Sequence, residues 1–174
     1  KKIKDGQRLN RLDNVIDYTT NIEKTINSDY GKDSYYDLHN VIDYVEADYK
    51  TEKQFYVSGV NCNPKTALEE MTITKEQYGK TGGILGFHAF QSFAEGEVTP
   101  EQCHAIGVRL AEEMWGDRFE VVVSTHLNTN HYHNHFVLNS VSFLDGKKYN
   151  ADRNSYAEFR RLNDLICMEH GKSY

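Results

Sequence analysis

The alternation of apolar and polar positions divides the chain into short helices and strands separated by polar turns. Apolar residues recur at helical spacing from Leu9 to Thr20, which predicts a short amphipathic helix near the start of the chain. Segments in which apolar and polar residues alternate, or that are rich in β-branched side chains, predict strands. Clusters of Gly, Pro, Asn and Asp predict the turns between them. The other predicted elements are a helix at about 35–49, a strand at 54–62, a helix at 66–80, a strand at 84–93, a helix at 99–115 and a helix at 155–169.

Two consecutive strand-like segments predict a β-hairpin. Residues 119–126 are rich in β-branched side chains, residues 131–143 again read as a strand, and a short Asn-rich turn separates the two. Asp145 and Gly146 predict a tight turn after the second strand. Because antiparallel hairpins are mixed with helices along the chain, the pattern predicts an α+β fold. We expect a central antiparallel β-sheet flanked by helices, in a single domain that covers residues 1–174.

Composition is that of an ordinary globular protein. The chain has 174 residues with 39% hydrophobic content, and no stretch approaches the roughly 18–20 apolar residues needed to cross a bilayer. The charged opening KKIKDGQR is not followed by the apolar segment of a signal peptide, so we expect a cytoplasmic protein without membrane insertion. The three cysteines are widely spaced and form no C-x-x-C pair, which predicts neither a disulfide framework nor a thiolate zinc site.

The net charge of −6 argues mildly against a nucleic-acid partner, but the distribution of charge changes that picture. Acidic side chains are concentrated in residues 29–52, whereas residues 1–11 and 147–161 are locally basic. We therefore expect the acidic segment to point away from any polyanion. The candidates for phosphate contacts are Lys147, Arg160 and Arg161, although a solvated helix face explains the arginine pair nearly as well.

Four of the eight histidines lie within ten residues of the predicted hairpin: His126, His131, His133 and His135. Side chains alternate between the two faces of a strand, so the last three would share one face. The hairpin would also bring His126 beside His133. Neutral imidazole is a common ligand for divalent transition metals. A single histidine on a strand is usually a surface or core residue, but this clustering favours a metal site.

Three segments resemble the motifs of the conjugative relaxases, specifically the MOBP-like relaxase and mobilisation nuclease family, and they occur in that family's order. The segment IDYTTNIEKT is similar to the one that carries the nucleophilic tyrosine, which implies that Tyr18 is catalytic. The segment FHAFQSFAEGEVTPEQ is similar to the one whose serine contacts DNA beside the cleavage site, which implies Ser92. The segment THLNTNHYHNHFVLNSV is similar to the metal-binding motif, which implies the ligands His126, His133 and His135.

The resemblance covers nearly the whole chain and implies the HUH-type (histidine-hydrophobe-histidine) fold of relaxases and replication initiators. It implies site- and strand-specific nicking and rejoining of DNA at an origin of transfer, through a 5′-phosphotyrosine intermediate, in plasmid or element mobilisation. The implied cofactor is a divalent metal ion, Mn²⁺ or Mg²⁺, with Zn²⁺ as an alternative. The implied partners are single-stranded or melted origin DNA and accessory relaxosome and coupling proteins.

The identity of the nucleophile stays open between two tyrosines. The pentapeptide NVIDY occurs twice, ending at Tyr18 and at Tyr44, so Tyr44 is the alternative nucleophile. The chain starts without methionine and stops just after a predicted helix. We therefore expect it to be the N-terminal catalytic part of a longer protein.

Several side chains near the predicted site have open roles. His131 is interpreted as a neighbour of the metal and not a ligand, and Asn139 as a support for a ligand or a backbone contact. His88 and His104 are interpreted as ordinary residues. Many relatives carry an acidic residue just after the first histidine, where this chain has Leu127 followed by Asn128, so the group that orients the imidazoles is not identified.

Two other functions compete with that of a relaxase. A rolling-circle replication initiator or a transposase nuclease of the HUH type would share the chemistry, but the tyrosine here precedes the histidines, as it does in relaxases. A metal-stabilised binding module without catalysis would keep the histidines. Such a module would form no covalent adduct with DNA.

Overall fold

The computed structural model describes residues 2–4, 11–25 and 56–172, which contain five strands and five helices. The strands are β1 (Lys2–Lys4), β2 (Val57–Val60), β3 (Ile84–Ser92), β4 (Val121–His126) and β5 (His133–Asn139). The helices are α1 (Arg11–Thr19), α2 (Ile22–Thr25), α3 (Ala67–Gln77), α4 (Pro100–Trp115) and α5 (Arg153–Glu169). Tyr44, the predicted helix at 35–49 and the acidic segment 29–52 lie outside the described residues.

The five strands form one antiparallel sheet in the order β1-β3-β5-β4-β2. β5 is the central strand, and His133 at its start has Ser92 of β3 opposite it on one side and His126 of β4 on the other. The predicted α+β class, the central antiparallel sheet and the histidine hairpin are therefore confirmed. The long-range pairing of β3 with β5 places the Ser92 segment directly beside the histidine segment.

Helices cover both faces of the sheet. On one face, α4 and α5 enclose a core that includes Ile106, Trp115, Phe136 and Ile166, each at most 4% exposed. The opposite face carries a smaller buried cluster, to which α1, α3 and the sheet contribute Leu12, Ile16, Ala67, Met71, Val122 and Val137. Side chains alternate along β5, so His133 and His135 share the face of Val137. The two histidines therefore point to the side of the sheet that α1 covers.

The ends of β5 differ from the prediction. The strand runs from His133 to Asn139 and not from 131 to 143, so His131 lies in the preceding turn and does not share the strand face as predicted. The physical reason is local hydrogen bonding, because the carbonyl of His131 accepts from Thr129 Oγ1 and His133 Nδ1 and not from a ladder partner. After the strand, Gly146 adopts a positive φ of 68° in the predicted tight turn.

The helix starts follow from capping chemistry. Thr99 and Gln102 form a reciprocal capping box in front of Pro100, which confirms the predicted start of α4. α5 begins at Arg153, two residues before the predicted start, because the carboxylate of Asp152 accepts the backbone N–H groups of the first turn. None of the helices in the described segments is long and apolar enough to cross a membrane.

Candidate active site

Three imidazole rings converge on the face of the sheet that α1 covers. His126 ends β4, while His133 and His135 lie two residues apart on β5, so the hairpin register places all three on one face. One ring nitrogen of each lies within 4.8 Å of the others, and the rings of His126 and His135 are 4.2 Å apart between centroids. The structure thus brings together the three side chains that the sequence suggested as metal ligands.

Hydrogen bonds fix the second nitrogen of two of these rings. His126 Nε2 lies 2.9 Å from the backbone oxygen of Thr19, and His133 Nδ1 lies 2.9 Å from the backbone oxygen of His131. A carbonyl oxygen only accepts, so both of these nitrogens donate. In the neutral rings, this leaves Nδ1 of His126 and Nε2 of His133 as the unprotonated nitrogens. Such bonds are the usual means of orienting a metal-binding imidazole.

The third ring, that of His135, is oriented by another histidine. His135 Nδ1 lies 2.7 Å from Nε2 of His88, and the two rings stack with centroids 5.0 Å apart. His135 Nε2 is buried and has no hydrogen-bond partner in the described part of the chain. A buried nitrogen of this kind is costly unless it has a partner, and a metal ion would provide one. His88, interpreted from sequence as an ordinary residue, therefore orients a candidate ligand.

The electrostatic surroundings keep two of the candidate ligands uncharged at neutral pH. Burial lowers the pKa of His126 to about 4 and that of His135 to about 3, and in both cases repulsion from neighbouring histidines acts in the same direction. Only neutral imidazole has a lone pair to give to a metal. Uncharged rings, fixed tautomers and a buried bare nitrogen together fit a divalent metal ion held by His126, His133 and His135.

Tyr18 lies beside this cluster, in the last turn of α1. Its ring is edge-on to His126 and His135, with centroid distances of 5.8 and 6.1 Å, and its side chain is 55% exposed. The next residue, Thr19, supplies the carbonyl that binds His126. The end of α1 therefore contacts the histidine cluster through both a side chain and the backbone.

Lys24 on α2 is a neighbour of Tyr18 that the sequence interpretation missed. Its ammonium nitrogen lies 3.2 Å from the centroid of the Tyr18 ring, in cation–π geometry. The backbone oxygen of Lys24 accepts a bond of 2.7 Å from the amide of Leu127, which ties α2 to the chain just after β4. The sequence offers one indication of this contact, since Lys24 lies in the same short motif, IDYTTNIEKT, as Tyr18.

The other predicted site residues lie at different distances from the cluster. Ser92 is exposed and lies opposite His133 on the same face. Asn139 lies six residues along β5, where its amide donates to Glu120 Oε2 and to the backbone oxygen of Met71. The structure therefore places Asn139 in a separate buried network and does not bring it to the histidines.

The predicted basic contacts also separate into different environments. Arg160 lines a small cavity together with Ser92. Arg161 is bonded to both carboxylate oxygens of Glu158, and Lys147 lies 3.4 Å from a carboxylate oxygen of Asp145 in the turn after β5. Of the three, Arg160 alone is found next to a residue of the predicted active-site face.

Comparison with known proteins identifies the family. Residues 44–172 match the sequence model of the family described as "Relaxase: MobA/VirD2-like, nuclease domain". The chain belongs to this relaxase family. The predicted resemblance is therefore confirmed, and the matched region of the relaxase domain contains Ser92 and the three clustered histidines, whereas Tyr18 precedes it.

Named relatives support the same assignment. The relaxase domain is 44% identical over 116 residues to a protein rlx of Staphylococcus aureus, an alignment that covers 67% of this chain and 36% of that protein. It is 30% identical over 206 residues to the group II intron-interrupted relaxase LtrB of Lactococcus lactis subsp. cremoris, covering 94% of this chain and 36% of that protein. The chain thus spans little more than a third of the curated relatives it matches. No solved structure matches it.

Proposed function

We propose that this domain nicks one strand of DNA at an origin of transfer and later rejoins it, with Tyr18 as the nucleophile. The observation that carries the proposal is the position of the Tyr18 ring, edge-on to two of the three histidines that fit a metal ion. Membership in the relaxase nuclease family supports the class of reaction. The substrate would be single-stranded or locally melted origin DNA, and accessory relaxosome and coupling proteins would deliver it.

The reaction conserves the phosphoester bond. The phenolic oxygen of Tyr18 attacks the phosphorus of one phosphodiester, and the bond from phosphorus to the 3′ oxygen breaks. The phenol loses its proton, the departing oxygen gains one, and the products are a 5′-phosphotyrosine and a free 3′-hydroxyl. Attack by a 3′-hydroxyl on the phosphotyrosine reverses each step and rejoins the strand. Nicking therefore requires no external energy source.

A divalent ion bound by His126, His133 and His135 would supply positive charge at the non-bridging oxygens of the phosphate. We propose Mn²⁺ or Mg²⁺, with Zn²⁺ as the alternative to be tested. Three neutral imidazoles suit this task because, unlike carboxylates, they leave the full charge of the ion for the substrate. His88 and the carbonyls of Thr19 and His131 would keep the rings in the metal-binding tautomer.

Side chains of this domain would also position the nucleophile and the DNA. Lys24 rests on one face of the Tyr18 ring and would limit its movement toward solvent. Ser92 lies opposite His133 on an exposed part of β3 and would contact the strand beside the cleaved bond. Arg161 and Lys147 already have acidic partners, so we propose Ser92 and Arg160 as the DNA contacts near the centre.

Formation of a covalent adduct tests this function. Labelled single-stranded oligonucleotides that tile the DNA adjacent to the gene would be incubated with the protein and Mn²⁺ and resolved on a denaturing gel. We expect one oligonucleotide to give a labelled protein band that is absent from Tyr18→Phe and retained in Tyr44→Phe. Loss of the band only in Tyr44→Phe would overturn the choice of nucleophile. Binding without any adduct would indicate a non-catalytic module.

A further inference from the structure

An aromatic side chain stands exposed beside the histidine cluster without a role in the chemistry above. Phe90 on β3 is 69% exposed, the highest value among the exposed large apolar side chains in the described part of the chain. It lies opposite His135 in the β3–β5 ladder, and two-residue alternation places it between His88 and Ser92 on the same face. The ring is therefore next to the candidate metal centre and open to solvent.

A cavity of about 140 Å³ adjoins Phe90 at the end of β3, between this strand and α5. Its lining residues are Phe90, Gln91, Ser92, Phe159, Arg160 and Asn163. Two of these are fixed by hydrogen bonds, because Gln91 Nε2 donates to Asn163 Oδ1 at 2.6 Å and Gln91 Oε1 accepts from buried Asn134 at 2.8 Å. The cavity thus has a polar wall that is held in place by the core of the sheet.

Arg160 brings a positive charge to this cavity. Its side chain is exposed and makes no ion pair with any residue of the described segments. The next residue offers a direct contrast, because the guanidinium of Arg161 is bonded to both oxygens of Glu158 at 2.9 and 2.7 Å. A guanidinium that has no acidic partner among the described residues and lines the same cavity as an exposed aromatic residue is suited to binding a phosphate group.

We propose that Phe90 and Arg160 form a subsite for one nucleotide of the DNA substrate, with the base stacked on the Phe90 ring and its phosphate bound by Arg160. The inference rests on the proposed function, since it assumes a DNA strand that reaches the histidine cluster past Ser92. Aromatic side chains on an open surface, combined with nearby cations, are the common means of binding single-stranded nucleic acid. Stacking accepts any base, so this subsite would contribute affinity and register with little sequence preference.

Equilibrium binding in the Tyr18→Phe background tests the subsite apart from the chemistry. The probe is the fluorescently labelled single-stranded oligonucleotide from the tiling set that binds most tightly, and the readout is anisotropy. We expect Phe90→Ala to weaken binding by roughly 5- to 150-fold and Phe90→Tyr to restore it, because tyrosine also stacks. Leu144→Ala is the matched control, since that side chain is 63% exposed but lies in the turn after β5.

Removal of single bases locates the contact. Each position of the oligonucleotide would be made abasic in turn, and we expect one position whose loss weakens binding to the starting protein but not to Phe90→Ala. Arg160→Ala should lower the slope of log Kd against log salt by about 0.7, the value for one phosphate contact on a single strand. Arg109→Ala, whose guanidinium is held by Glu113 and Glu169, should leave the slope unchanged.

The outcomes separate this inference from the proposed function. The subsite would be overturned if Phe90→Ala bound the DNA with unchanged affinity. It would also be overturned if removal of each base weakened binding equally in Phe90→Ala and in the starting protein. Both conclusions hold even if the wild type forms the covalent adduct. Reduced thermal stability of Phe90→Ala with unchanged DNA affinity would assign the ring to contacts within the protein and would also overturn it. An abasic effect that depends on Phe90, in a protein that forms no adduct, would support the subsite and contradict nicking.

Discussion

The hydrogen bond between His88 and His135 leads to a quantitative prediction about metal affinity. Replacement of His88 by phenylalanine keeps a ring of similar size against His135 but removes the acceptor 2.7 Å from His135 Nδ1. Metal binding requires His135 Nε2 to be bare, which forces the proton onto Nδ1. Without His88 that proton has no partner in a buried setting, so the metal-bound state is disfavoured.

The magnitude follows from the cost of one unsatisfied buried donor. That cost is about 1–3 kcal/mol, equivalent to about 5- to 150-fold in metal affinity. Within that span we expect a loss of roughly 10- to 100-fold, the range found for groups that orient metal-binding histidines. His88→Gln should recover much of the affinity, because its side-chain oxygen can accept from Nδ1. His170→Phe, a change at the end of α5, is the control for the loss of a histidine remote from the cluster.

Isothermal titration of the metal-free protein with Mn²⁺ gives the affinity directly, and thermal unfolding with and without Mn²⁺ gives an independent measure. We expect the stabilisation by Mn²⁺ to shrink in His88→Phe by about 1.4–2.7 kcal/mol, the same factor expressed as free energy. If His88→Phe binds Mn²⁺ as tightly as the wild type while His135→Ala does not bind it, the orienting role of His88 is refuted.

Three further changes test other parts of the structure. Lys24→Met removes the charge over the Tyr18 ring and should slow adduct formation by about 2- to 5-fold in single-turnover assays, with normal rates refuting its positioning role. Burial lowers the pKa of His104 to about 4, so between that value and its ordinary 6.5 the unfolded state binds more protons than the folded state. The free energy of unfolding, measured in urea, should therefore fall as the pH is lowered through this window, and less steeply in His104→Gln. Thr99→Ala removes the cap of α4 and should lower stability by about 1 kcal/mol in the same assay, without a change in Mn²⁺ affinity.

The parts of the site that could be predicted from sequence are those set by short-range periodicity. The two-residue spacing of His133 and His135, and the turn back to His126, place three rings together whatever the rest of the fold does. The start of α4 could be predicted for the same reason, because it is determined by interactions of Thr99 and Pro100 within the first helical turn. His131 was assigned to the strand because spacing alone does not show that its carbonyl binds Thr129 and His133.

The parts that could not be predicted depend on contacts between distant segments. His88 precedes His135 by 47 residues and meets it only because β3 pairs with β5 in one particular register. Nothing in the local pattern specifies which strand lies next to which, so His88 was interpreted as an ordinary residue. The sequence leaves Asn139 open between supporting a ligand and bonding the backbone, and its position six residues beyond His133 places its side chain against Glu120 and Lys75.

The bond from His126 to the backbone of Thr19 would make the docking of α1, which carries the proposed nucleophile, and the binding of a metal ion mutually dependent. The three rings belong to strands that are paired on both sides. In contrast, α1 is held by the smaller buried cluster and by the bond to His126, so its separation from the sheet costs less free energy than separation of these strands. If the docked helix orients His126 and so raises affinity for the ion, thermodynamic linkage requires the ion to favour the docked helix by the same factor. Binding of the ion would therefore hold α1, and Tyr18 with it, against the sheet. Separation of α1 from the sheet would in turn lower the affinity of the three histidines for the ion.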